Sequence, residues 1–401
     1  MLYEVCSVRI GLISSGTTTD RIPPIYGGGI QKYLWHLAGA LSALGHEVHI
    51  FTYQQPRQLK EELLDRIYVH RISRVLKTPV LATFLFGMKT VVRLLQTQKK
   101  NGRFQILHAQ SRVSGLIVRL FFQKTPFVFT AHNWDVALTR PNELISRLPH
   151  TALALIEKAV LSYSDAVISL TPFFQKVLTT RYKLPGTKIQ VIPNMVRISQ
   201  QLDLQSAPSP AMAKLLSKPF LLFVGRLEKA KGVDFLLELS KQRSSQDKAQ
   251  NLIIVGTGSQ KYALKKKVTE LGLQNAVHIL GTVHENYLQT LISAASALIL
   301  PSEFEIMPTV ILEAWAVKCP VLVQAYQGVQ SLIRDRMTGL LFQTRDTIQL
   351  SQLVTELLTN EDLRQKIIQN SFTQVKTVYA SSIVSRQILS LYFSVIKRCQ
   401  P

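Results

Sequence analysis

The sequence predicts an α/β protein built as two doubly wound domains in series. Three observations predict it. Short apolar runs of strand length alternate with helix-period segments in both halves of the chain, as in "VRIGLIS", "HEVHIFT", "FQILHA", "PFVFTA" and "DAVISL". Runs that are apolar at successive positions, rather than at alternate ones, belong to parallel strands covered on both faces. The alternation then breaks at 197–218, "RISQQLDLQSAPSPAMAKLLSK", a polar stretch with two prolines, before a second series begins. A length of 401 residues accommodates two domains at roughly 100–200 residues each.

In chain order, "VRIGLIS" leads through a glycine turn into a helix from about Ile30 to Leu44, and "HEVHIFT" follows as the next strand. The second series reads "PFLLFVGRL", "NLIIVGTG", "AVHILG", "SALILPS", "PVLVQA" and "GLLF". The segment 382–398 carries apolar Ile383, Ile388, Leu389, Leu391, Tyr392 and Ile396, and needs a groove for that face. The expected division is residues 1–196, residues 197–379, and a terminal helix of about 380–401 returning to the first domain.

The charge balance is strongly basic, with 47 Lys+Arg against 25 Asp+Glu and a net charge of +22. Such an excess calls for an anionic partner: a phosphorylated ligand, a nucleic acid or an anionic lipid surface. Between Asp65 and Asp135 there is no acid at all. Within that stretch, 77–100 mixes apolar residues with Lys77, Lys89, Arg93, Lys99 and Lys100. It reads either as a βα helix with a solvated basic side or as an interfacial segment on a membrane surface. No nucleic-acid recognition motif accompanies the charge, so nucleic acid is not expected as a partner. The cysteines Cys6, Cys319 and Cys399 are scattered, with neither disulfide nor metal spacing. With no signal-peptide pattern and no apolar run of ~18 residues, the expected location is cytoplasmic, peripheral on the membrane face if the basic stretch docks there.

In doubly wound sheets, ligands bind outside the carboxyl ends of the strands, so the residues just after each strand are the informative ones. In "LLFVGRLEKAKGVDFLLEL" the strand ends at Val224 and a helix starts near Gly232, with Arg226, Lys229 and Lys231 between. Cations beside a helix N-terminus make an anion site, against the plainer reading of a solvated basic loop. In "PSEFEIMPTVILEA", Pro308 suits a first helical turn, Glu305 precedes the helix and Glu313 lies inside it. A carboxylate can accept from two neighbouring hydroxyls, which is how sugars and ribose are held; the structural alternative for Glu313 is an ion pair. Glu303 is expected in solvent. The glycines of "IYGGGIQ" allow close backbone approach to a phosphate, although they fit neither a dinucleotide fingerprint nor a P-loop. His108 and His132 end the strands "FQILHA" and "PFVFTA", and His132 is the stronger site candidate.

Together these motifs resemble glycosyltransferase family 4, retaining enzymes of the GT-B fold, in which two Rossmann-like domains face each other across a cleft. The resemblance is carried almost end to end by "YGGGIQ", "FTAHNWD", "FVGRLEKAKGVDFLLEL" and "PSEFEIMPTVILEAWAVKCPVLV". It implies transfer of a hexose-type sugar from a nucleotide-diphosphate sugar to an acceptor hydroxyl, the acceptor being a glycan or a lipid-linked glycan. It implies that Arg226 and Lys231, with Gly28 and Gly29, bind the donor diphosphate, and that Glu313 holds the ribose. Glu305 and His132 would lie at the donor sugar in the catalytic position. The backbone of Ile306, Met307, Thr309 and Val310 would contact donor sugar and phosphate. No cofactor and no metal are implied. The chain departs from the family pattern at Ile306, where Gly is usual, at Gln31, where Glu is common, and in "QGVQSLI" and "VIPNMV". Two rival readings are another GT-B chemistry, epimerase or phosphorylase, and a non-catalytic anionic-lipid-binding protein of the same fold.

Overall fold

Among the described residues fourteen strands form two separate sheets, and the chain divides into two units, Met1–Met195 with Ser381–Pro401, and Val196–Ala380. The structure is a computed structural model that describes residues 7–14, 21–25, 28–73, 79–132, 147–198, 216–245 and 250–399. Most of the polar stretch 197–218 therefore lies outside the described residues, as do Arg74, Lys77 and Asp135.

The first unit contains β1 (Arg9–Ile13), α1 (Gly29–Ala43), β2 (Glu47–Tyr53), β3 (Glu61–Leu64), β4 (Ile67–Ile72), α2 (Pro79–Asn101), β5 (Ile106–Ala109), α3 (Arg112–Phe121), β6 (Phe127–Ala131), α4 (Arg147–Tyr163), β7 (Ala166–Ser169), α5 (Pro172–Thr180) and β8 (Ile189–Val191). Its sheet order is β3-β4-β2-β1-β5-β6-β7-β8, all parallel except the β3–β4 pair. Ile10 of β1 stands between Val48 of β2 and Ile106 of β5. β5, β6 and β7 are buried along their whole length, which is why they read as unbroken apolar runs. β3, "EELL", alternates exposed and half-buried residues because it is an edge strand, and its charges blunt that edge.

The second unit contains β9 (Phe220–Val224), α6 (Val233–Ser244), β10 (Asn251–Val255), α7 (Lys261–Glu270), β11 (Val277–Gly281), α8 (Glu285–Ala294), β12 (Ala297–Leu300), α9 (Thr309–Ala316), β13 (Val321–Gln324), β14 (Leu340–Phe342), α10 (Thr347–Thr359) and α11 (Glu361–Gln374). The order β11-β10-β9-β12-β13-β14 is parallel throughout. Phe220, Phe223, Phe235, Trp315 and Phe342 fill its core.

The last helix, α12 (Ser381–Cys399), belongs to the first unit and packs on α1. Val384, Ile388, Tyr392 and Val395 recur at helical spacing and are sealed from solvent. Tyr392 donates or accepts at His108 Nδ1 over 2.6 Å, tying the C-terminal helix to β5.

Candidate active site

Each sheet has one place where the chain reverses its order of winding, and there the loops after two adjacent strands diverge to leave a ligand-sized crevice. In the second unit the reversal falls between β9 and β12. The loop after β9 is laced to its neighbours by backbone: Gly225 N donates to Val255 O at 3.0 Å, and Leu227 N to Thr257 O at 2.9 Å. On the other side, Glu303 N donates to Ala230 O at 3.0 Å, joining the β9 and β12 loops directly. Gly232 makes this approach feasible. It has φ 64°, and a Cβ there would stand 2.3 Å from Pro301 O. Only glycine meets both conditions without strain.

These loops bring Lys231 and Glu305 into an ion pair. The Ser302 hydroxyl donates to the same Glu305 Oε1 at 3.0 Å, and Gln324 Nε2 donates to Ser302 O at 3.4 Å. Arg226 is exposed on the β9 loop. Glu228 accepts from the hydroxyl and amide of Ser259, at 2.5 and 3.2 Å, and these bonds, with help from the Arg226 charge, hold its carboxyl below the usual range. Tyr326 packs edge-on to Phe304 at 5.9 Å; burial, and then the Glu305 charge, push its phenol well up. Ile306, Thr309 and Val310 are half-buried and Met307 is buried, with Pro308 capping α9. Glu313 is half-buried, in the second turn of that helix. Glu303, expected in solvent, is half-buried because its amide is drawn onto Ala230.

In the first unit the reversal falls between β1 and β5. Gly28 caps α1 with φ 117°, and Gln31 Oε1 lies where its Cβ would be, 2.3 Å away. Gly29 opens the helix. Gln31 thus folds back over the turn from the third helical position, where the Glu or Gln of a capping box sits. His108 is wholly buried, and both ring nitrogens are taken, by Tyr392 Oη and Thr130 Oγ1 at 2.6 Å each. Burial, and then the neighbouring His132, lower its pKa to about 3. It is a core histidine. His132 is half-buried just past β6, bonded through Nε2 to Gln110 Oε1 at 2.6 Å and edge-on to Tyr33 at 5.0 Å. Burial holds it in the neutral form as well.

Ser302 and Gln110 were not singled out from the sequence. Both stand one or two positions beyond a strand, so the rule that pointed to His132 applied equally to them. Among the described residues no three His, Cys, Asp or Glu side chains are grouped as a metal site.

Two separately folded Rossmann-like sheets, each with its own winding reversal, define the GT-B architecture. The family described as "Glycosyl transferases group 1" matches residues 210–374, and "Glycosyltransferase Family 4" matches residues 27–200. The chain belongs to these glycosyltransferases, and it is an enzyme of that class. Alpha-D-kanosaminyltransferase of Streptomyces kanamyceticus is 24% identical over 271 residues, 67% of this chain and 70% of that protein. Sucrose-phosphate synthase from Thermosynechococcus elongatus superposes with a TM-score of 0.82 at 24% identity, over 98% of this chain and 100% of that one. HepE from Anabaena, in complex with UDP-glucose, does so with a TM-score of 0.72 at 18% identity, over 96% and 99%.

Proposed function

We propose that this glycosyltransferase moves a hexose-type sugar from a nucleotide-diphosphate sugar to an acceptor hydroxyl with retention of anomeric configuration. The observation that carries the reading is the joining of the β9 and β12 loops so that Lys231 meets Glu305 at the winding reversal. A cation and a hydroxyl-binding carboxylate in contact suit a group in which a phosphate adjoins a sugar. In this reading Lys231 and Arg226, with Gly28 and Gly29, bind the diphosphate, and their charge serves where other transferases use a metal. Glu313 accepts from the ribose hydroxyls. Glu305 accepts from the donor sugar, against the backbone of Ile306, Met307, Thr309 and Val310, and His132 lies at the sugar. The bond from C1 to the diphosphate oxygen breaks as the acceptor oxygen bonds C1 on the same face. The acceptor proton passes to the departing phosphate oxygen, and fixed cations stabilise that oxygen as charge develops.

The acceptor in this reading is a glycan carried on a lipid, met at an anionic membrane surface. Support comes from α2, which buries Ala82, Phe86, Val91 and Leu94 yet exposes Leu81, Phe84, Val92 and Leu95 along its other side. Lys99 and Lys100 are exposed in its last turn, whereas Arg93 is engaged by Glu61 at 3.0 Å. No described helix is long and apolar enough to cross a membrane.

A melting-temperature panel of UDP, GDP and ADP tests the donor site. A ligand at a hundred times its Kd stabilises by about 2.7 kcal/mol, and a flat response to all three defeats the reading. With a turned-over donor, proton NMR of the product gives the anomeric configuration. Flotation with phosphatidylserine vesicles tests the membrane part: binding should weaken in salt and on reversing Lys99 and Lys100, and a wild type that stays soluble at low salt defeats it.

A further inference from the structure

We propose that Gln110 is a positioning residue for the transfer reaction: its amide oxygen accepts from Nε2–H of His132 and fixes the ring as the tautomer with a bare Nδ1. The inference rests on reading His132 as a site residue. Gln110 follows β5 at the winding reversal of the first sheet, and its backbone N donates to Ile13 O, the end of β1, at 3.1 Å. Gln110 is 3% exposed, so its amide is packed in the interior. Among the described residues it is the single hydrogen-bond partner of the His132 ring, at 2.6 Å. The other nearby imidazole, His108, has no nitrogen to offer, since Thr130 and Tyr392 hold both. Tyr33 braces the ring edge-on, with the planes 75° apart, and so fixes its plane but not its proton.

The remaining end of the amide argues for orientation over stability. Gln110 Nε2 is buried with no partner among the described residues. A buried donor left unpaired offsets the bond made by the oxygen, so an apolar side chain of the same shape would hold this corner of the core as firmly. What an apolar side chain cannot do is choose between the two neutral forms of the imidazole. An acceptor at Nε2 puts the proton there and leaves Nδ1 as the ring's own acceptor. His132 as a residue is half-buried, unlike the sealed His108.

Long-range proton–nitrogen correlation spectra of the labelled protein read the protonation of each ring nitrogen directly. Wild type should show His132 protonated at Nε2 and bare at Nδ1. Gln110→Met should abolish this single-tautomer pattern, whereas Gln110→Glu should keep it and raise the His132 pKa by about one unit or more, since a carboxylate favours the charged ring. With UDP-glucose as donor probe, UDP release should fall about tenfold or more in Gln110→Met, with KM little changed. A wild-type ring protonated at Nδ1, or a spectrum that Gln110→Met leaves unchanged, overturns the proposal. Should Gln110→Met fail to fold, Gln110→Asn, one methylene too short to reach the ring, takes its place. His132→Ala separates the two readings. If it leaves turnover intact, the site role of His132 is wrong. If it abolishes turnover while Gln110→Met is silent, only the positioning role is wrong.

Discussion

Lys231 Nζ and Glu305 Oε1 are ion-paired, and through them the loop after β9 is locked to the loop after β12. Their side chains are 23% and 20% exposed, so the pair is partly shielded from solvent. Glu305 thus neutralises the cation to which the proposed function assigns the diphosphate. A charge-assisted contact is worth roughly 1.5–3 kcal/mol, so Lys231→Ala should weaken nucleoside diphosphate binding about tenfold or more while sparing the nucleoside. Glu305→Gln should leave diphosphate binding unchanged or tighter, yet lower turnover. Calorimetry with UDP and uridine reads both, and equal losses for the two ligands in Lys231→Ala would count against the assignment.

If, as proposed, Glu313 accepts from the ribose hydroxyls, Glu313→Gln should cost donor affinity. A 2′-deoxy donor should then lose much less in the variant than in wild type. A double-mutant cycle without coupling would make Glu313 a structural residue.

Gly232→Ala should destabilise the protein by about 2 kcal/mol or more in urea unfolding. It combines a left-handed backbone with a Cβ placed 2.3 Å from Pro301 O. Because relief of that clash parts the two loops, diphosphate binding should weaken alongside.

Tyr392→Phe should cost about 1–3 kcal/mol, since it strands His108 Nδ1 in a sealed core. Thermal unfolding measures it, and a shift no larger than that of an exposed control such as Tyr163→Phe would show that the bond contributes little.

Acid should begin to destabilise the enzyme before its carboxylates titrate. Burial and then His49 lower His70 to about 4, and burial and then His132 lower His108 to about 3, from an ordinary 6.5. Below pH 6.5 the unfolded chain binds protons that the native state refuses, so their contribution is full above pH 6.5 and is lost as pH falls through 4 and then 3. The urea midpoint should drop across that window by an amount on the order of a few kcal/mol in stability. His70→Gln should flatten part of the slope.

The parallel strands were legible because burial on both faces leaves runs such as "FLLFV" with no polar position to confuse them. β3 was not, since an edge strand with Glu61 and Glu62 has the pattern of a loop. The charged members of the candidate site stood out by chemical type and by their place after strands. What sequence could not supply was the partner. The residue that settles His108 as a core histidine is Tyr392, 284 positions away. Nothing near Gly232 announces that its neighbour is the carbonyl of Pro301.

Val196 and Ala380, the first and last residues of the second unit, pair across a parallel bridge, and Val196 N donates to Tyr379 O at 3.0 Å. Entry and exit therefore lie side by side, and all six strands of that sheet fall between them. In genetic terms the segment 196–380 is a cassette with adjoining ends, set between a body and that body's own closing helix. Two cuts would exchange the whole of it without opening a sheet, so everything the second unit binds could be replaced in one recombination event while the first unit is passed on unaltered.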